Sequence, residues 1–350
     1  MPTESPFAPP PPIPPARSGW RQTLYFLAGI GLVVVLGLLV MRLRPPPKLP
    51  DGWSRLVPPH DVMALLEYRD RIWSGGRDGL VVLDRETGAL LEEVLADAPI
   101  AYVIGMAVSS YDDSLWVGHR GGVSRFDGTT WVTQGTDAGR VLALLVDRNG
   151  ALWVGTEQGL AYLRDGTWIQ FTSADGLASD SVSYLFEDSQ GRIWAGAGYA
   201  YEGGVSVYEE GAWKPSDVQE HLPHPYLNAM LEDDDGTLWY GAGFSSYGGV
   251  AIHNGSGWRT LTVDDGLAGA KVRYLFRDAA DAIWVGSEYN GIVWMGPDTP
   301  ASGWRTFTPK EGLAGLEVKA MLQDSQGNLW IGTEAGLTRI SHDAWMQLGK

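Results

Sequence analysis

From Asp51 to the end of the chain, short apolar runs alternate with polar turns on one repeating plan. Its clearest copy begins at Val318-Lys-Ala-Met-Leu-Gln323, an apolar run with polar breaks. The turn Asp324-Ser-Gln-Gly327 follows, then the runs Leu329-Trp-Ile-Gly-Thr333 and Gly336-Leu-Thr-Arg-Ile340. Runs this short, rich in β-branched and aromatic residues and bounded by Gly and Asp, predict strands joined by hairpin turns, with Gly where positive φ is needed. Near-copies lie at Asp147–Tyr162, Asp188–Val207, Asp233–Ile252, Asp278–Val293 and Ser114–Phe126, and a worn one at Asp70–Leu83. The tryptophan of each second run stands at Trp73, Trp116, Trp153, Trp194, Trp239, Trp284 and Trp330, at spacings of 37 to 46 residues. A second tryptophan series, Trp53, Trp131, Trp168, Trp213, Trp258, Trp304 and Trp345, marks a fourth run in each unit.

A period of roughly 40–45 residues with four short strands per unit is the signature of propeller blades. The predicted fold is all-β: a seven-bladed β-propeller over 52–350, each blade a four-stranded antiparallel sheet. The apolar runs are nearly continuous because blades packed face to face cover both sides of each sheet. One fourth strand is surplus, since Leu90-Leu-Glu-Glu-Val94 serves the first blade. Gly52-Trp-Ser-Arg-Leu56 is expected to complete or brace the last blade. The sequence leaves open whether it or Ala344-Trp-Met-Gln-Leu348 pairs with Leu337–Ile340.

Ahead of the repeats the pattern changes. Residues 1–23 are Pro-rich and expected to be disordered. Leu24–Met41 is uncharged and apolar, about 27 Å long as a helix, which matches the hydrocarbon thickness of a bilayer. Trp20 and Tyr25 stand at one end, and Arg21, Arg42 and Arg44 bracket it. No small-x-small cleavage site follows, so 24–41 reads as an uncleaved single-pass transmembrane helix in contact with membrane lipid. Residues 42–51 form a stiff Pro-rich spacer.

Residues 1–50 hold five of the 26 Lys and Arg and one of the 42 acids, which leaves 51–350 with a net charge of −20. Such a surface repels phosphate backbones, so no nucleic-acid partner is expected. There is no cysteine, hence no disulfide, thiolate metal site or Cys nucleophile.

The stretch Val318–Leu337, matched closely by Val141–Leu160, resembles the two-component regulator propeller repeat, as do the linking Asp175-Gly-Leu177, Asp265-Gly-Leu267 and Glu311-Gly-Leu313. The resemblance recurs seven times over about 52–348. It implies an extracytoplasmic sensor domain of the kind that senses glycans, and the expected ligand is a carbohydrate or a protein partner in a signalling context. It also implies an orientation with the N-terminus cytoplasmic and the propeller outside. No kinase or DNA-binding module is legible in the sequence, so the expected role is binding without kinase activity.

In this architecture the second-to-third-strand loops and the loops between blades share one face, where ligands meet propellers. Two second-to-third loops are long, Ala197–Gly203 and Ala242–Gly248, and the next blade adds Glu288-Tyr-Asn290. Tyr199, Tyr201, Glu202, Phe244, Tyr247, Glu288, Tyr289 and Asn290 are therefore the candidate ligand-binding residues, an aromatic rim with carboxylate and amide groups suited to a sugar. Glu220, His221 and His224 have the donor chemistry for a metal, but Pro223 and Pro225 oppose their convergence. Asp233-Asp-Asp-Gly236 occupies a hairpin turn and lacks the further oxygens of a calcium loop. No catalytic residue, metal or cofactor is assigned. The alternative is a propeller lyase or glycosidase using channel-facing Glu or His. Glu157, Glu288 and Glu334 recur at one position, and His119 and His253 lie on a chain that loosely resembles the streptogramin lyases.

Overall fold

The computed structural model describes residues 48–91, 100–134, 139–164, 166–199, 202–297 and 299–348. The run 24–41 lies outside them, and among the described residues no helix is long and apolar enough to cross a membrane. Seven antiparallel sheets follow one another along the chain. Their first strands are Val62–Tyr68, Val103–Val108, Val141–Val146, Val182–Glu187, Leu227–Glu232, Val272–Arg277 and Val318–Gln323, blades 1 to 7 in that order. Each packs on the next, and the first packs on the last, which closes a ring. Six blades have four strands. In blade 1 three strands are described, and Leu90 continues the sheet as a bridge to Leu83.

The hairpin between first and second strands is built on one carboxylate. In blade 6 Asp278 Oδ1 accepts the N–H groups of Ala280 and Ala282, and Oδ2 accepts Trp284 Nε1–H at 2.8 Å. Asp147, Asp188, Asp233 and Asp324 hold their tryptophans in the same way. The carboxylate thus closes the turn and fixes the indole that follows six residues later. Blade 1 has no such aspartate, and Trp73 Nε1–H donates to the Tyr68 carbonyl instead.

Each indole is wedged against the next blade. Trp153 packs with Val182, Ile193 and Trp213 of blade 4, and Trp284 with Val318, Leu329 and Ile331 of blade 7. Trp330 reaches across the seam to Val62, Ile72 and Leu83 of blade 1. Two residues after each of these tryptophans stands a glycine on the second strand. A Cβ on Gly241 would lie 2.6 Å from Val272 Cγ1, and one on Gly332 would lie 2.5 Å from Val62 Cγ1. The blade spacing therefore rests on a glycine facing the buried residue that opens the next first strand.

The N-terminal strand closes the ring. Trp53–Leu56 pairs antiparallel with Gly336–Ile340, from Trp53 opposite Ile340 to Leu56 opposite Leu337, as the fourth strand of blade 7. Arg55 Nε–H donates to the Gly312 carbonyl at 3.0 Å. That place being taken, Ala344–Leu348 is not a strand. His342–Trp345 is a short helix, and the buried Trp345 donates its indole N–H to the Gly327 carbonyl.

Candidate functional site

The first strand of every blade carries a β-bulge at its second residue. The register passes from Val62 to Ala64 opposite adjacent residues, leaving Met63 without a partner, and Ile104 and Leu142 are left in the same way. In blades 4 to 7 the bulged residues are Ser183, Asn228, Arg273 and Lys319. A bulge re-aims its extra side chain and raises the local twist. Here all seven extra residues line the central channel, in a cavity of about 290 Å³ whose remaining wall includes Leu65, Met106, Leu144 and Leu185. Lys319 is nearly buried and pairs with Asp61 of the neighbouring blade at 2.5 Å and with Glu317 at 3.0 Å. Burial would lower its pKa, but these two carboxylates outweigh that and raise it.

On the same face the two expected long loops are instead extensions of strands. Ile193–Tyr199 pairs with Glu202–Glu209 out to Tyr199 opposite Glu202. Leu238–Phe244 pairs with Tyr247–His253 out to Phe244 opposite Tyr247. Facing glycines, Gly198 with Gly203 and Gly243 with Gly248, let the ladders continue. Gly198 (φ 114°), Gly243 (149°) and Gly248 (143°) take conformations that other residues rarely adopt. These Gly-rich stretches read as loops in the sequence, yet Gly supplies the strained backbone that a protruding hairpin needs.

The candidate residues then fall in two groups. Tyr201 lies outside the described residues, as does the side chain of Tyr199, and Glu202 is exposed at the start of its strand. The others gather where blades 5 and 6 meet. Phe244 stacks on His224 with ring centroids 6.5 Å apart, meets Tyr226 edge-on, and carries the Lys271 ammonium 5.2 Å from its ring centroid. Lys271 is ion-paired with Glu288, and Glu288 accepts a hydrogen bond from Tyr289. Burial would raise the Glu288 pKa, but the bonds from Lys271 and Tyr289 hold it below the usual range. The same bond to Glu288 raises the Tyr289 phenol. Burial, with the Lys271 charge beside it, lowers the His224 pKa, so its imidazole is neutral at pH 7.

Ser245, Ser246, Lys271, Glu288, Tyr289 and Asn290 line a cleft of about 290 Å³ beside this network. Tyr289 is 59% exposed and Tyr247, on the adjacent hairpin, 64%. The sequence reading missed Lys271, the residue before the first strand of blade 6. Its signal was a cation at a position where the half-buried Glu288 of the same blade needs one.

The groups considered for catalysis and metal binding have other partners. Glu157 pairs with Arg140 at 2.7 Å, and Glu334 accepts the N–H groups of Leu316 and Glu317. Together with Glu288 they tie the incoming first strand to the second-strand end of the same blade. His119 is buried, with Nε2 bonded to Ser124 Oγ at 2.8 Å and Nδ1 accepting Gly121 N–H at 3.1 Å. His253 and His221 both stack on Trp258. Among the described residues no three His, Asp or Glu side chains are grouped to hold a metal.

Three stretches, residues 136–158, 176–199 and 312–335, match the family described as two component regulator propeller, and the chain carries repeats of that type. No curated protein matches it. Among solved structures it is similar to the extracellular domain of the hybrid two component system BT3049 from B. thetaiotaomicron. The identity there is 17%, over 86% of this chain and 42% of that one, with a TM-score of 0.71. The extracellular domain of BT4673 from the same organism is similar at 18% identity over 83% of this chain and 40% of that one, with a TM-score of 0.63. This chain therefore spans about two fifths of the length of those domains. Virginiamycin B lyase from Staphylococcus aureus is similar at 12% identity, over 83% of this chain and 98% of the lyase, with a TM-score of 0.62. At these identities the likeness is one of fold.

Proposed function

We propose that this protein is an extracytoplasmic sensor propeller, held to the membrane by residues 24–41 with its N-terminus in the cytoplasm. It binds a carbohydrate or a protein partner in a signalling context. The matches to two component regulator propeller repeats and to sensor ectodomains support this reading.

The observation that carries the site is the cleft between blades 5 and 6. Exposed rings of Tyr247 and Tyr289 offer flat apolar faces, while Ser245, Ser246 and Asn290 stand beside them with hydroxyl and amide groups. A sugar presents the matching pair, CH faces and a fringe of hydroxyls. The Lys271–Glu288 pair fixes the floor. A carbohydrate is the ligand we favour, and a protein partner displaying aromatic or polar side chains is the other occupant of the same cleft.

The test is glycan-array screening of the full chain in detergent, followed by calorimetry on any hit. Tyr289→Ala and Tyr247→Ala should each weaken binding by about tenfold, the equivalent of one lost stacking contact. Tyr201→Ala and Phe244→Ala probe the rest of the rim. Affinity that ignores Tyr289→Ala and Tyr247→Ala alike would remove the cleft from the reading. Protease added to intact cells should cut the propeller, and full protection would reverse the orientation.

A further inference from the structure

The seven bulged residues hold equivalent places in a pseudo-sevenfold ring, so the fold asks the same of each. Their chemistry is nonetheless segregated. Blades 1 to 3 supply Met63, Ile104 and Leu142, and blades 4 to 7 supply Ser183, Asn228, Arg273 and Lys319. One arc of the channel mouth is apolar and the other polar. Farther along the first strands, Leu65, Leu144 and Leu185 continue the apolar wall.

The cations of the polar arc are not equally engaged. Lys319 is paired with two carboxylates, Asp61 and Glu317. The Asn228 amide N–H donates to the Gly243 carbonyl at 2.8 Å. Arg273 ends the chain of charges. Its side chain is only 24% exposed, yet its one ion pair among the described residues is to Glu317 at 3.5 Å, too long for a good hydrogen bond, and Glu288 and Tyr289 only feel its charge. Arg273 lines the channel cavity, so a planar fork of five donors stands at its wall with only that loose pair to Glu317.

We propose that the channel mouth binds an amphipathic carboxylate, a branched or aromatic apolar group ending in a carboxylate, separately from the cleft between blades 5 and 6. The carboxylate takes the two-pronged fork of Arg273, and Ser183, two blades along the same polar arc, offers a further hydroxyl in the cavity. The apolar group lies against Met63, Ile104 and Leu142. Such a ligand is available as the C-terminus of a peptide ending in an apolar residue or as a free short-chain acid. Arg recognition of a planar carboxylate is bidentate in either case.

The experiment is calorimetry on the full chain in detergent with three probes. These are the peptide acetyl-Gly-Leu-Leu as its free acid, the same peptide as its C-terminal amide, and 4-methylpentanoate. The acids should bind at least tenfold tighter than the amide. Arg273→Gln should erase that preference, and Ile104→Asn should weaken the acids without erasing it. Tryptophan fluorescence checks that each variant is folded, and Ser183→Val, which leaves the charges in place, gives an independent weakening if Arg273→Gln unfolds the protein. Tighter binding of the peptide acid than of 4-methylpentanoate identifies a chain terminus as the source, and equal binding a free acid. Equal affinity for acid and amide, a preference that survives Arg273→Gln, or no binding of either acid at millimolar concentration would overturn the proposal.

Discussion

In blades 3, 4, 6 and 7 a single buried carboxylate does more than its place in a turn suggests. Asp278 is almost fully buried and accepts three hydrogen bonds, one from the indole that wedges blade 6 against blade 7. Asp278→Ala leaves two peptide N–H groups and an indole N–H without that acceptor. Each unsatisfied buried donor costs about 1–3 kcal/mol, so a loss of roughly 3 kcal/mol or more is expected in urea denaturation. A loss below about 1 kcal/mol would mean that water or a neighbour takes over. In blade 2, the turn carboxylate of Asp112 makes stability depend on pH. Burial would raise its pKa, but bonds from Ser114, Arg125 and Ser109 outweigh it and bring it down to about 2. A carboxylate held below its unfolded value of 3.8 contributes stability above that pH and loses it as pH falls toward about 2. Asp112→Asn should therefore flatten the acid limb of the stability curve between those values while keeping the fold at pH 7. These turns were legible in the sequence because Asp and Gly recur at fixed offsets. The indole bond was not, since it spans six residues and depends on how the hairpin twists.

At the scale of strands, the glycine that follows each tryptophan by two residues governs how closely blades approach. The sequence displayed it seven times over, from Gly75 to Gly332, but its purpose requires the neighbouring blade. The added methyl at Gly241 would meet Val272 Cγ1 at 2.6 Å, whereas at Gly118 the nearest atom, Val141 Cγ1, lies at 3.1 Å. Overpacking a tight interface costs about 1–3 kcal/mol. Gly241→Ala should thus lower the urea midpoint clearly and Gly118→Ala only slightly. Equal effects would show that local strand conformation, not blade spacing, demands the glycine. The same limit explains why the bulge ring went unread, because a bulge is a property of register between two strands. It also explains the two protruding hairpins. Paired glycines look like loop residues until their partners across the ladder are seen, and the site shifts accordingly from two loose loops to the end of the blade 5 ladder and its seam with blade 6.

For the whole propeller the decisive feature is that its first and last strands meet in one sheet. The tryptophan count made seven blades legible, and the surplus fourth strand pointed to closure by Trp53–Leu56. The competing placement of Ala344–Leu348 was open because both segments carry a tryptophan with apolar neighbours. Ring closure joins residues about 285 apart, and the loop entropy of such a contact is roughly 5 kcal/mol. That cost is offset by four backbone pairings, by Trp53 packed 5.6 Å from Phe307, and by Arg55 bonded to the Gly312 carbonyl. Across the same seam Lys319 grips Asp61, and Trp330 packs on blade 1. A chain beginning at Pro58 should therefore unfold at lower urea than one beginning at Lys48, and should aggregate through the bared edge of Gly336–Ile340. A peptide of residues 48–58 added in trans should recover part of the difference, since the groove it fills is otherwise intact. Identical midpoints for the two chains would show that the seam is held by the blade 7 to blade 1 packing alone.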